Sequence, residues 1–207
     1  MPPEDYLYDV FISYPRRGET SKWVEDHFFP ALYHCLSLEL DREPKIYFDK
    51  MLEQGSTWPI ELGNNLASSR ILLSLWTRNY LNSEWCSLEL AHMLAREKEN
   101  RLRTMDNPKG IISLPIIHDG DTIPTFLNKI QKIEIKRLFN PHMRKDSQKS
   151  EDLYDELMNI GESLAIQIEN APQFKKAWRI DGIKRFMELF DKNIPTKKNV
   201  RPRFTAP

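Results

Sequence analysis

The sequence predicts an α/β protein in which helices cover both faces of a parallel sheet. Short apolar runs alternate along the chain with segments of helical periodicity, the order found in βαβ units. The first run, residues 8–14, is nearly continuous, as expected for a strand buried on both faces. The 207 residues are enough for one sizeable core and an extension, and too few for two full enzyme domains.

Five segments have the composition of strands. The fourth contains Pro115, which predicts an edge position or a bulge, because proline lacks a backbone N–H for the ladder. The fifth alternates polar and apolar residues, as a half-exposed strand does. The five segments are residues 8–14, 46–49, 71–76, 110–117 and 131–135.

Helices fill the intervals between these strands. Thr20 or Ser21 is expected to cap a long helix that ends near residue 40. Pro59 lies in the first turn of a second helix, and Ser83 is expected to cap a third. A last core helix is predicted from apolar residues at helical spacing, which are Leu153, Leu157, Ile160, Leu164 and Ile168.

The composition changes after Pro172. Residues 172–207 contain ten Lys and Arg against three Asp and Glu, whereas the whole chain has 30 of each and a formal net charge of zero. We therefore predict a body, residues 6–171, and a basic extension, residues 172–207, that is partly helical and then flexible. The extension either docks on the body and caps it, or binds a nucleic acid or another partner as a sensor.

Composition also bounds the class of protein. A net charge of zero provides no overall basic field for nucleic acid or an anionic membrane. A signal peptide and a run of about 20 apolar residues are both absent, so the sequence predicts a soluble, cytoplasmic protein. Cys35 and Cys86 fit a reducing compartment, and the five histidines lack ligand spacing, so no metal site is predicted.

Glu89 is the candidate for a catalytic or ligand-binding residue. It lies on the third predicted helix, one turn after Trp85 and just beyond the third strand. A carboxylate beside an indole at the carboxyl edge of a sheet is suited to binding a ribose. The alternative is a solvated helix residue, which is what most glutamates are.

Three segments resemble Toll/interleukin receptor (TIR) domains. Residues 8–14, Tyr-Asp-Val-Phe-Ile-Ser-Tyr, resemble the first conserved box of that family. The strand at 46–49, a loop with Gly55 and a helix beginning near Trp58 resemble its second strand and BB loop. Residues 83–90, Ser-Glu-Trp-Cys-Ser-Leu-Glu-Leu, resemble the Trp-Cys-x-x-Glu-Leu element of enzymatic TIR domains. The resemblance covers about residues 6–171 in the family's order and spacing.

The resemblance implies a flavodoxin-like, doubly wound sheet of five parallel strands, with ligands at the carboxyl edge near the topological switch point. It also implies cleavage of NAD at the nicotinamide glycosidic bond, with Glu89 as the catalytic glutamate. NAD is then a substrate, and no cofactor is implied. Because nicotinamide leaves from a cationic group, one carboxylate that stabilises the ribosyl cation is sufficient.

The same resemblance assigns the first loop to substrate binding. Tyr14, Arg16 and Arg17 match positions where an aromatic ring and basic residues meet the nicotinamide ribose and the phosphates. Guanidinium groups suit phosphate through forked hydrogen bonds. Pro15 separates Tyr14 from the arginines, which leaves open which arginine points inward.

Four further residues have two interpretations each. Phe48 either contacts the ligand or belongs to the core, and Trp85 either shapes the ribose side of the pocket or packs in the core. Ser83 is a helix cap whose hydroxyl also faces the cleft. Trp58 is either a lid or a contact between two copies.

The leading interpretation is an NAD-consuming enzyme that makes linear, cyclic or conjugated ADP-ribose. The loop at residues 50–55, Lys-Met-Leu-Glu-Gln-Gly, lacks the Arg-Asp-x-x-Pro-Gly element of animal adaptors. The chain instead resembles bacterial TIR proteins of anti-phage defence, such as Thoeris-like systems, in which a phage cue triggers a signal for a separate effector. The alternative is a non-enzymatic adaptor that binds other TIR domains. Self-association through TIR–TIR contacts is implied in both cases.

Overall fold

A computed structural model describes residues 5–16, 18–48, 58–118, 123–179 and 183–194. Its backbone forms one sheet of five parallel strands in the order β2-β1-β3-β4-β5. This arrangement confirms the predicted flavodoxin-like sheet. The strands are β1 (Tyr8–Ser13), β2 (Ile46–Phe48), β3 (Ser69–Ser74), β4 (Ile112–Ile116) and β5 (Gln131–Glu134).

Helices connect the strands and cover the sheet in two groups. Helices α2 and α5 pack against each other, while α4 packs against both α3 and α6. Strand β3 contacts α5 from the first group and α4 from the second, so it lies between two layers. The helices are α1 (Thr20–Trp23), α2 (Phe29–Glu39), α3 (Trp58–Ala67), α4 (Glu84–Glu99), α5 (Gln148–Glu169) and α6 (Ile183–Asn193).

The first long helix differs from the prediction in two ways. A π-helical turn, Val24–Phe28, separates α1 from α2. Pro30, in the first turn of α2, cannot donate a hydrogen bond to the preceding turn, which favours this local widening. The cap position of α1 is occupied by Glu19, and Thr20 and Ser21 already lie inside the helix, so the predicted cap at Thr20 or Ser21 is wrong. The Glu19 side chain makes no capping hydrogen bond to the described residues of α1.

Strand β4 lies inside the sheet and keeps the same register with both neighbours on either side of Pro115, so both the predicted edge position and its alternative, a bulge, are wrong. It pairs with β3 on one side and with β5 on the other. Pairing with β3 stops after Leu73–Ser113 and resumes only at the single bridge Trp76–Ile116. Pro115 lies in this gap, where its carbonyl accepts a hydrogen bond from the Trp76 N–H at 2.7 Å. The interrupted ladder therefore needs no N–H from the proline.

The core is continuous across the sheet. Val10, Phe11 and Ile12 of β1 are all at most 1% exposed, which confirms that this strand is buried on both faces. The predicted core helix is confirmed as α5, in which Ile160 is half-buried. The other predicted residues are buried: Leu153, Leu157, Leu164 and Ile168.

The described part of the extension packs on α4. Residues 172–178, here called the strap, cross the C-terminal half of α4, where Trp178 is buried. Helix α6 then packs against α3 and α4 and buries Leu189, Phe190 and Ile194. None of the helices in the described ranges is long and apolar enough to cross a membrane. The predicted flexible end, residues 193–207, is wrong at its start, because Asn193 belongs to α6 and Ile194 is buried, while residues 195–207 lie outside the described residues.

The sheet order places a topological switch point between β1 and β3. The chain leaves β1 towards α1 and α2, and it leaves β3 towards α4 in the other layer. In sheets of this kind a crevice opens between the two diverging loops at the carboxyl edge. The functional site is therefore expected beside residues 14–19 and 75–83.

Candidate functional site

A cavity of about 80 Å³ opens where the end of β1 meets the first turns of α4. It brings together five residues that the sequence singled out, because the strand end and the helix N-terminus lie at the same edge of the sheet. These are Tyr14, Arg16, Ser83, Trp85 and Glu89. Its other lining residues are Phe11, Ile12, Ser13 and Cys86.

Glu89 is buried in the wall of this cavity. Only 5% of the residue is exposed, so it is not a solvated helix residue. Burial raises the pKa of its carboxyl to about 8, opposed by the hydrogen bond from Ser13 and the nearby charge of Arg16. The Ser13 hydroxyl donates to Glu89 Oε2 at 2.5 Å. A carboxyl group with a raised pKa in a cleft is typical of a functional site.

Ser13 and Tyr80 form a buried support for Glu89. The Tyr80 hydroxyl lies 2.6 Å from Ser13 Oγ, and since Ser13 donates to Glu89, Tyr80 donates to Ser13. Tyr80 is fully buried and its ring stacks on Trp76 at 5.1 Å between centroids. Burial raises the pKa of the Tyr80 hydroxyl well above its ordinary value, so it stays protonated and remains a donor.

Neither supporting residue is predicted from the sequence as part of the site. Ser13 does have a sequence signal, since it is a hydroxyl at the last position of a strand that is otherwise apolar from Val10 onwards. Tyr80 has none, because its contact with Ser13 joins residues 67 positions apart and depends on how β1 and β3 pair.

The remaining predicted residues of the cavity differ in exposure. Tyr14 is buried, which raises the pKa of its hydroxyl to about 12, whereas Arg16 is exposed at the rim. Trp85 is half-buried and also packs against the core, so both of its interpretations hold geometrically. Ser83 occupies the cap position of α4, but its side chain makes no capping hydrogen bond to the described residues there. Arg17 lies outside the described residues.

Phe48 occupies a different place. It is 6% exposed and its ring packs on Phe29 at 4.9 Å between centroids. It is not among the described residues that line the cavity, which fits its core interpretation. Residues 49–57 and the side chain of Trp58 lie outside the described part, so both roles of Trp58, as a lid or as a contact between two copies, remain predictions.

Cys35 and Cys86 are both buried, and neither forms a disulfide bond. Burial raises the pKa of Cys86, which lines the cavity, well above its ordinary range, so it is a poor nucleophile. Within the described ranges, His, Cys, Asp and Glu side chains form no group of three or more that could hold a metal ion.

The raised pKa predicts a pH-dependent gain of stability in Glu89→Gln. The folded protein keeps the Glu89 proton up to about pH 8, while the unfolded chain releases it near 4.5. Stability from this group is therefore full below about pH 4.5 and declines as the pH rises to 8. We expect Glu89→Gln to melt several degrees above the wild type at pH 9, with the difference shrinking at pH 5. Thermal melts at both pH values measure this, and equal differences at both would contradict it.

A family model matches the part of the chain that contains the cavity. The family model for the TIR domain matches residues 10–146, which include every described residue of the cavity. The chain is a TIR-domain protein. Strand β1, the segment after it and the first turns of α4, with Ser13 and Glu89, all lie inside the matched region of the TIR domain.

Curated relatives include plant and animal proteins. The TIR chain is 32% identical to TMV resistance protein N of Nicotiana glutinosa over 141 residues, which are 68% of this chain and 11% of that protein. It is 30% identical to disease resistance protein RPV1 of Vitis rotundifolia over 98 residues, 47% of this chain and 6% of that one. It is 28% identical to Toll-like receptor 2 of Capra hircus over 141 residues, 64% of this chain and 15% of the receptor. The chain thus spans a small fraction of these relatives.

A solved structure also resembles the TIR chain. It contains the TIR domains of the activated Roq1 resistosome, which directly recognizes the pathogen effector XopQ. The likeness covers 89% of this chain and 96% of that one at 17% identity and a TM-score of 0.39. A superposition of that quality adds nothing to the family assignment.

Proposed function

We propose that this TIR-domain protein cleaves NAD at the nicotinamide–ribose bond. The observation that carries the proposal is the Glu89 carboxyl group, buried in a cavity at the carboxyl edge and held there by Ser13. The products are nicotinamide and either ADP-ribose or its cyclic or conjugated form.

Glu89 acts on the charge that develops at the ribose. When the C–N bond breaks, nicotinamide leaves as a neutral molecule with the bonding electrons, and the ribose becomes an oxocarbenium-like cation. A carboxylate at that point binds the ribose hydroxyls and stabilises the cation, most strongly where water is excluded. The positive charge of bound NAD favours the ionised form of Glu89, which lowers its pKa from the value of about 8 in the empty cavity.

The other lining residues bind the substrate. Tyr14 and Trp85 supply aromatic surface beside Glu89, and Arg16 at the rim suits the pyrophosphate. A water molecule, the adenine ring or a second substrate then captures the cation and loses a proton to solvent or to Glu89.

The proposed setting is immune signalling in the cytoplasm. Two of the relatives are named as resistance proteins, which supports a role in defence. We further propose that copies of the chain associate through TIR–TIR contacts, and that a trigger such as a phage component starts synthesis of a signal for a separate effector.

Release of nicotinamide tests the function. Purified protein is incubated with NAD at increasing protein concentrations, because association is expected to activate it, and the products are identified by mass spectrometry. We expect equimolar loss of NAD and gain of nicotinamide. A chain that binds other TIR domains but never consumes NAD, either purified or when overproduced in cells, would instead be an adaptor.

Ser13→Ala is expected to lower kcat for NAD about tenfold, in line with loss of a hydrogen bond to a charged group. It also removes an interaction that lowers the pKa of Glu89, so the acidic limb of the pH–rate profile moves to higher pH. The profile of nicotinamide release measures this shift. Ser113→Ala is the matched control, since Ser113 is a buried serine on β4 that donates to Gln167 and does not line the described cavity. An identical shift in both variants would contradict the role of Ser13.

A further inference from the structure

A second cavity, of about 340 Å³, opens at the same edge of the sheet. Its walls come from the segments that follow β1, β3, β4 and β5, and it lies in the switch-point crevice. Tyr14 and Arg16 line the first cavity, whereas Pro15 between them lines the second, so one short loop separates the two. The lining residues are Pro15, Thr20, Thr77, Arg78, Asn79, His118 and Phe139.

The lining of the second cavity suits a nucleotide. Arg78 and His118 are exposed side chains that can bind phosphate, while Asn79 supplies an amide for hydrogen bonds to a base. Phe139 is half-buried, and its ring is held edge-on against Trp23 at 5.1 Å between centroids. A fixed aromatic ring can stack on a purine. Among the described residues that line this cavity there is no carboxylate to repel an anion.

We propose that the second cavity binds the adenosine diphosphate end of the NAD molecule whose nicotinamide ribose lies at Glu89. This rests on the proposed function. The first cavity, about 80 Å³, is well below the roughly 300–1,000 Å³ of most ligand sites, so it holds only one end of a dinucleotide. The second, about 340 Å³, lies within that range. Arg16, at the rim between them, then meets the pyrophosphate as the substrate crosses the loop.

Kinetics with two substrates test the assignment. Nicotinamide mononucleotide has the scissile bond but lacks the adenylate end. We expect Arg78→Gln to raise KM for NAD about tenfold, the size expected for one charge-assisted hydrogen bond, and to leave KM for nicotinamide mononucleotide unchanged. Lys129→Gln is the control, because it removes an exposed positive charge before β5, at the opposite edge of the sheet. Equal effects of Arg78→Gln on both substrates, or no effect on NAD, would overturn the proposal.

Binding of AMP separates this proposal from the proposed function. Titration calorimetry with Glu89→Gln protein needs no turnover, and we expect AMP to bind and the added Arg78→Gln change to weaken it about tenfold. If AMP binds in this way and NAD is never cleaved, the nucleotide subsite stands and the proposed function fails. If NAD is cleaved but AMP does not bind, the subsite is wrong. AMP that activates cleavage, rather than competing with NAD, would mark a separate regulatory nucleotide and also overturn the proposal.

Discussion

Glu89→Gln is expected to lower the rate of NAD cleavage by about a hundred- to a thousandfold, the usual loss when one electrostatic stabiliser of a transition state is removed. Glutamine keeps the size of the side chain and can still accept a hydrogen bond from Ser13, which donates to Glu89 at 2.5 Å. It cannot carry the negative charge that stabilises the ribosyl cation. The loss should therefore appear in kcat, with KM for NAD changed much less.

Release of nicotinamide in single-turnover and steady-state assays measures this loss. Glu84→Gln is the matched control, since Glu84 lies in the first turn of the same helix and does not line the described cavity. It should retain the wild-type kcat. Full activity in Glu89→Gln, with unchanged folding by circular dichroism, would remove Glu89 from the mechanism and with it the proposed chemistry.

Trp178→Ala is expected to lower the free energy of unfolding by about 3–5 kcal/mol, the range for truncation of a buried aromatic residue. Trp178 is 5% exposed in the strap. The Arg96 guanidinium lies 4.2 Å from the centroid of its ring, and its indole N–H donates to Glu99 at 2.9 Å. Its carbonyl lies 2.8 Å from His92 Nε2, so three residues of α4 hold it.

The strap also ties the N-terminal segment to α4. The Arg96 side chain is 1% exposed and donates to the Ser69 carbonyl and to the Tyr6 hydroxyl, each at 2.9 Å. Tyr6 donates in turn to the Pro172 carbonyl at 2.6 Å. Loss of the Trp178 ring would expose the Arg96 guanidinium to water, whereas its hydrogen bonds now lie in a site from which water is excluded. The Trp178→Ala change should therefore weaken the packing of both the N-terminal segment and the strap against α4.

Denaturant unfolding measures the change. Trp178→Phe keeps a ring over Arg96 but loses the hydrogen bond to Glu99, so about 1–2 kcal/mol is expected. Lys176→Ala, two positions earlier and exposed, should stay within about 0.5 kcal/mol of the wild type. If Trp178→Ala behaves like Lys176→Ala, the strap does not stabilise the body, and the extension is not a capping element.

Much of the fold followed from local pattern. The apolar run from Val10 to Ile12 and the periodic helix from Leu153 to Ile168 have the burial that their spacing predicted, because burial on one or both faces imposes a period on the sequence. The prediction made from Pro115 was wrong for a physical reason. Its rule assumes a complete hydrogen-bond ladder, whereas the ladder between β3 and β4 is interrupted at that point.

The sequence alone determined the fold class, the family and the position of Glu89, since each depends on residues close together in the chain. Only the tertiary structure decided the state of Glu89. Its burial, its raised pKa and the Tyr80–Ser13 support arise where β1, the segment after β3 and α4 meet. The second cavity arises in the same way from four separate segments. The desolvation of a side chain and the shape of a cavity arise where segments distant in the chain pack together, so no local sequence pattern predicts them.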